Sequence, residues 1–113
     1  MEFVRLSVED QPEILDFACA DGILIKSMIL RKIGTYVPQH SHKYDHTSFI
    51  ATGAVRVWCD AELIGDIHAP KPIEIKAHKK HLFMTLEDNT VILCIHNGYR
   101  SGEIEIHEEH QIT

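Results

Sequence analysis

The amino-acid sequence predicts an all-β domain, a sandwich or a barrel, with one short helix near the N-terminus. From Ile23 onward, runs of β-branched and aromatic residues alternate with turn residues at short, regular intervals. No second stretch has helical periodicity, and no segment is repeated. Many short strands within about a hundred residues are typical of these two architectures.

The predicted helix lies in the segment EDQPEILDFACADG, residues 9–22. Asp10 is a suitable N-cap, Pro12 falls in the first turn, and Gly22 is a typical stop signal. Three apolar residues would share one side of this helix: Ile14, Leu15 and Phe17.

The predicted strands follow the helix and are separated by turn signals. Glycine, proline, aspartate or asparagine occurs in most of the gaps between them, and the turn HKK precedes His81. The predicted strands cover residues 23–33, 47–52, 54–59, 62–67, 73–76, 81–86 and 91–96.

Composition restricts the class of protein. The chain has 113 residues, 44% of them apolar and 25% charged, as expected for a single globular domain over residues 1–113. A net charge of −6 argues against nucleic acid as a partner, because binding it requires a basic surface. The longest apolar run, residues 22–30, is too short to cross a bilayer, so we expect no membrane partner.

Cysteine usage and the N-terminal sequence indicate the cytoplasm. Cys19, Cys59 and Cys94 are odd in number and widely spaced, which favours reduced thiols over disulfides. No basic segment leads into an apolar one at the N-terminus, as a signal peptide would require. Residues 102–113 contain four glutamates and no Lys or Arg, so we expect an acidic tail that is either an edge strand or a frayed end.

Two predicted strands, HLFMTL and VILCI, are apolar on both faces. An antiparallel strand of this kind needs cover on its outer face as well as on its inner face. The N-terminal helix could supply part of that cover and a second copy of the chain the rest. We therefore expect a homodimer.

Three of the nine histidines lie within HSHKYDH, residues 40–46. Residues two apart along a strand point to the same side, so His40 and His42 would project together. His46 would reach back after a bend, and His81 begins a later strand. If the sheet curls into a barrel, these four side chains can converge. Neutral imidazoles bind Mn, Fe, Ni, Cu and Zn.

A lone histidine is more often a structural or surface residue than a ligand, but this cluster favours a metal. Burying three imidazoles together without one would leave unpaired ring nitrogens, at a cost of about 1–3 kcal/mol each.

The segment GTYVPQHSHKYDHTSFIATG, residues 34–53, resembles the first motif of the cupin barrel. That motif reads Gly-x5-His-x-His-x3,4-Glu-x6-Gly, and every fixed spacing is matched, with His46 where the family usually has glutamate. The second motif, Gly-x5-Pro-x-Gly-x2-His-x3-Asn, is matched only at His81. The resemblance covers residues 23–97 and implies a double-stranded β-helix, the jelly-roll barrel.

The resemblance also implies a metal site inside the barrel mouth. Its ligands would be His40, His42, His46 and His81, and small cupins with four histidines typically hold manganese or iron, with zinc or nickel as alternatives. An octahedral ion would keep two open positions, whereas a tetrahedral zinc ion would be closed. With no carboxylate ligand, the divalent charge would attract a small anionic substrate.

Positions in the predicted strands and turns also indicate the surroundings of other residues. We expect Asp45 in a turn, Cys59 and Cys94 in the core, and His68, His107 and His110 on the surface. His96 could support the site, and His78 could face solvent or line the mouth. The candidate pocket residues are Tyr36, His78, Phe83 and His96.

Two classes of function fit this site. One is a metal-dependent oxidoreductase of the dioxygenase type, acting on a small anionic or oxygen-chelating substrate. The other is a non-catalytic module in which the metal holds a small ligand or stabilises the barrel, because the short chain has no obvious lid. A sugar or keto acid isomerase is a third possibility, but such an enzyme needs an acid or base that the sequence does not reveal.

Overall fold

The computed structural model describes residues 12–38 and 41–98, which form nine β-strands. The strands are β1 (Glu13–Ala20), β2 (Ile23–Leu30), β3 (Tyr36–Pro38), β4 (His46–Thr52), β5 (Ala54–Cys59), β6 (Glu62–His68), β7 (Lys71–Ile75), β8 (His81–Thr85) and β9 (Thr90–Asn97).

The strands form two antiparallel sheets that face each other. One sheet has the order β1-β2-β9-β4-β7 and the other the order β3-β8-β5-β6. Strands far apart in sequence are neighbours, since β9 lies between β2 and β4 and β8 between β3 and β5. This arrangement confirms the predicted all-β jelly-roll barrel.

The core lies between the sheets and comes from alternate residues of both. In β4 and β8 every second residue is buried, which places His46 and His81 on the same inward faces as Ile50 and Phe83. Burying each large apolar side chain stabilises the fold by about 1.5–3 kcal/mol. The buried core residues are Met28, Leu30, Val37, Ile50, Val55, Val57, Ile75, Phe83 and Ile92.

The predicted short N-terminal helix is wrong for the part that the structure describes. Residues Glu13–Ala20 form strand β1, which pairs with β2 from Ala20↔Ile23 onward. Asp21 and Gly22 have positive φ values of 50° and 77°, as a two-residue hairpin turn requires. Pairing with β2 satisfies backbone groups along a whole strand edge, and this gain outweighs the helix signals. The expected N-cap, Asp10, lies outside the described residues.

The other predicted strands are observed with boundaries shifted by at most a few residues. The strand predicted at residues 54–59 has those bounds, whereas the one predicted at 23–33 ends at Leu30. Strand β3 was not predicted, because three residues ending in proline show no alternation.

The outer faces of β8 and β9 are apolar, as expected. Leu82 and Met84 on β8 and Leu93 and Ile95 on β9 are all partly exposed. Since β1 extends the sheet sideways, it does not cover these faces as a helix could. The homodimer stays a prediction.

Within residues 12–38 and 41–98, no helix has the length and hydrophobicity needed to cross a membrane.

Gly53, between β4 and β5, packs against Thr90, the first residue of β9. Its φ is +84°, and a Cβ there would lie 2.9 Å from the Cα of Thr90. Gly34 has almost the same φ, +83°, but nothing within 4 Å of its Cβ position. The two glycines therefore share a conformational requirement and differ in steric space.

We expect Gly53→Ala to destabilise the protein by about 2–4 kcal/mol, because it combines left-handed strain with overpacking. Gly34→Ala should cost only about 1–2 kcal/mol, from the strain alone. Urea unfolding of both variants measures the difference, and equal losses would show that the Thr90 contact is unimportant.

Candidate functional site

Four histidines gather at one end of the barrel. His46 begins β4, His81 begins β8, and His42 lies in the loop before β4. His96, near the end of β9, sits beside His46, because the next pair along the ladder is Thr47↔Ile95. Residues from both sheets thus meet at the barrel mouth.

Tyr44 packs between two of these imidazoles. Its ring stacks on His42 with 5.0 Å between ring centroids, and it lies 5.1 Å from the ring of His96. His42 also meets His46 edge-on, with centroids 5.2 Å apart and planes at 85°. Aromatic pairs at these distances stabilise each other, so Tyr44 restrains the orientation of the imidazoles beside it.

Two of the histidines are buried with an unsatisfied nitrogen. His46 is 8% exposed and His81 is 7% exposed. In both rings Nδ1 is buried and has no hydrogen-bond partner among the described residues. Leaving a buried polar atom unpaired costs about 1–3 kcal/mol, so each is a candidate contact for a further group.

The imidazole of His46 favours its neutral form. Burial lowers its pKa from 6.5 to about 4, and repulsion from His42, His96 and His81 acts in the same direction against a weaker opposing effect of Asp45. Burial also lowers the pKa of His81, opposed by Asp60 and by the backbone of Lys79. Neutral imidazole is the form that binds a metal ion.

Two loops are tied together at the mouth. The backbone N–H of His78 donates to the carbonyl oxygen of His42 at 2.7 Å. The N–H of Ala77 donates to Asp45 Oδ1, also at 2.7 Å. These bonds hold the loop before β4 against the loop before β8, and therefore fix His42 relative to His81.

An open depression of about 260 Å³ lies beside the cluster. Most of its lining residues, such as Thr47 and Ile95, have the outward parity of the sheet, so the depression marks the outer face of the sheet at the level of His46 and His96. The lining residues are Ile23, Asp45, His46, Thr47, Glu74, Ile95, His96 and Asn97.

The structure brings three of the four predicted ligands together: His42, His46 and His81. His40, the fourth, lies outside the described residues. In the part of the chain that is described, no three His, Cys, Asp or Glu side chains already form a metal-binding group. The predicted metal site therefore stays a prediction.

Of the predicted pocket residues, some lie at the histidine cluster and others do not. His96 joins the cluster, and Phe83, fully buried, lies one inward position beyond His81 on β8. His78 has its side chain exposed and a φ of 65°. Tyr36 is not brought to the site, because it pairs with Met84 and so lies on the face opposite Phe83.

Four inward residues near the mouth escaped the sequence analysis or were given a different role. Tyr44 shares the parity of His42 and His46, so the alternation could have revealed it. The others depend on pairing between distant strands: Lys26, Ser48 and Cys94. Among the residues expected at the surface, His68 is exposed, and His107 and His110 lie outside the described residues.

The low pKa of His46 predicts that the metal-free protein loses stability in mild acid. The unfolded chain binds a proton on His46 as the pH falls through 6.5, whereas the folded chain resists until about 4. This contribution is complete above pH 6.5 and is lost between pH 6.5 and 4, by up to about 3 kcal/mol. His42, His96 and His81 repel the charged ring and Asp45 attracts it.

Urea unfolding at pH 7, 5.5 and 4.5 measures this loss. His46→Gln should reduce the pH dependence, and the exposed control His68→Gln should keep it. An unchanged pH dependence in His46→Gln would contradict the assignment.

Comparison with known proteins identifies the fold. No protein-family model matches the chain, and no curated protein matches it. Solved structures do: KdgF from Halomonas sp. is 15% identical with a TM-score of 0.66, over 92% of this chain and 94% of that one. A cupin superfamily protein from Desulfitobacterium hafniense DCB-2 is 21% identical with a TM-score of 0.63, over 80% and 81%.

An uncharacterised protein with a double-stranded β-helix domain, from Klebsiella pneumoniae, is 14% identical with a TM-score of 0.68, over 88% of this chain and 86% of that one. At such low identities the likeness shows the fold alone. The chain has the double-stranded β-helix fold found in cupins, as its first motif predicted.

Proposed function

We propose that the barrel mouth binds one divalent transition metal ion through His42, His46 and His81, with His40 as a fourth ligand. The observation that carries the proposal is the pair of buried, unpartnered Nδ1 atoms on His46 and His81. A metal ion would compensate the cost of burying neutral imidazoles together. Manganese or iron fits an oxidoreductase best, and zinc or nickel would also accept these ligands.

We propose further that the protein is an oxidoreductase of the dioxygenase type, acting on a small anionic or oxygen-chelating substrate. The metal, when bound, would supply redox chemistry and a Lewis-acidic positive charge. The chain's own residues keep the imidazole of His46 neutral by burying it, and Tyr44 restrains the rings of His42 and His96. With imidazole ligands alone, the site keeps its full positive charge for an anion.

The carboxylates in the depression favour redox chemistry over isomerisation. Asp45 accepts a hydrogen bond from the N–H of Ala77, and Glu74 forms an ion pair with Lys76 at 2.6 Å. Both groups therefore have structural contacts of their own. An isomerase would need a positioned acid or base to move a proton on the substrate.

Removing single imidazoles tests the metal site. We expect His42→Ala and His81→Ala each to lower bound metal at least tenfold, because each deletes a proposed ligand. His68→Ala, at an exposed position, should leave the metal content unchanged. Elemental analysis of the purified variants measures the bound metal. Equal metal content in all three variants would refute the site.

Oxygen consumption distinguishes the enzyme from a non-catalytic module. Protein loaded with Mn or Fe should consume O2 with at least one member of a panel of diketones, phenols and thiols, and His81→Ala should not. If no substrate is turned over and chelation still lowers the melting temperature by several degrees, the metal has a stabilising role and the enzyme assignment fails.

A further inference from the structure

Lys26 is half-buried on the inward face of β2, one layer below the histidine cluster. It shares the inward face of β2 with Leu24 and Met28, which are 3% and 4% exposed. Across the sheet it pairs with Cys94 of β9, and Cys94 pairs in turn with Ser48 of β4. These three residues form a polar row across the inner surface.

This polar row is the layer directly beneath the histidines. Leu24 pairs with His96, so Lys26 is one inward step from the level of His96 and His46. One such step of two residues measures about 7 Å along an antiparallel strand. Below the row, Met28 pairs with Ile92, where the apolar core begins.

Lys26 has no carboxylate partner in an ion pair among the described residues. By contrast, Arg31, Arg56, Lys76 and Lys79 each face a carboxylate at the surface. The inward faces of β2, β4, β8 and β9 carry no Asp or Glu. Lys26 is thus the one cationic side chain on these faces, and its charge is uncompensated there.

The neighbouring groups of the row are also suited to an anion. Ser48 is fully buried, and its hydroxyl faces the thiol of Cys94, whose pKa this contact lowers. The positive charge of Lys26 extends to the thiol of Cys94, where it partly offsets the rise in pKa caused by burial. An ammonium beside apolar residues is costly unless it reaches water or an anion.

We propose that Lys26 binds the carboxylate of a small ligand whose other oxygen atoms reach the histidine site one layer above. This inference rests on the proposed function and specifies its substrate class: a short carboxylic acid with a hydroxyl or keto oxygen a few bonds from the acid group. An ammonium pairs with a carboxylate more strongly where both groups are partly shielded from water, as on this half-buried face. Lys26 is then the residue that selects acids over neutral analogues.

The test compares 4-oxopentanoate with its uncharged methyl ester, in metal-loaded and metal-free protein, by NMR titration. The wild type should bind the acid at least tenfold more tightly than the ester. Lys26→Met should lose this preference, and Lys26→Arg, which keeps the charge, should stay within about threefold of the wild type. Lys71→Met removes an exposed lysine at the far end of β7 and should behave as the wild type.

A wild-type protein that does not prefer the acid, or a Lys26→Met variant that keeps the preference, would overturn the proposal. Metal analysis of the same samples distinguishes failure of the Lys26 proposal from failure of the proposed metal site. Normal metal in Lys26→Met together with lost acid preference supports Lys26 as the acid-binding residue. Wild type that holds no metal but prefers the acid through Lys26 would refute the metal site and leave the carboxylate subsite standing. A melting temperature at or above that of the wild type shows that Lys26→Met is folded.

Discussion

Strand β9 pairs with β2 on one side and with β4 on the other, and the register of these two ladders decides which side chains meet inside the barrel. Because side chains alternate with a period of two, a slip of one residue would turn every inward group outward. The observed register stacks three layers. Histidines line the mouth, the row of Lys26, Cys94 and Ser48 lies beneath them, and the apolar core fills the rest.

The stability gained by burying the apolar layer offsets the free-energy cost of the polar groups buried above it. Three apolar side chains are fully buried: Ile50, Phe83 and Ile92. Their burial stabilises the fold and favours the observed strand register. At the mouth, the same burial leaves ring nitrogens of His46 and His81 unpaired. Local arrangements that reduce stability are common where a protein binds something, because the groups are kept ready for a ligand.

The inward faces of β2, β4, β8 and β9 carry one cationic side chain and no carboxylate. Where the first cupin motif usually has glutamate, this chain has His46, whose imidazole stays neutral because of its burial and its neighbours. The single cation on the inward faces described above, Lys26, adds a positive charge that no inward carboxylate offsets. Under the two proposals above, a bound metal and Lys26 would both attract an anion to this interior.

Local features of the sequence determined the all-β class, most strand positions and the histidine spacing of residues 34–53, because alternation and turn residues act over a few positions. An Asp-Gly pair at residues 21 and 22 already carried the hairpin signal that contradicts the predicted helix. Only the tertiary structure decided that Tyr44 packs between His42 and His96, that Tyr36 faces away, and that Lys26 lies beneath the histidines. Each of these depends on the pairing of strands distant in sequence, and such a register is set by the packing of the whole core rather than by any local pattern.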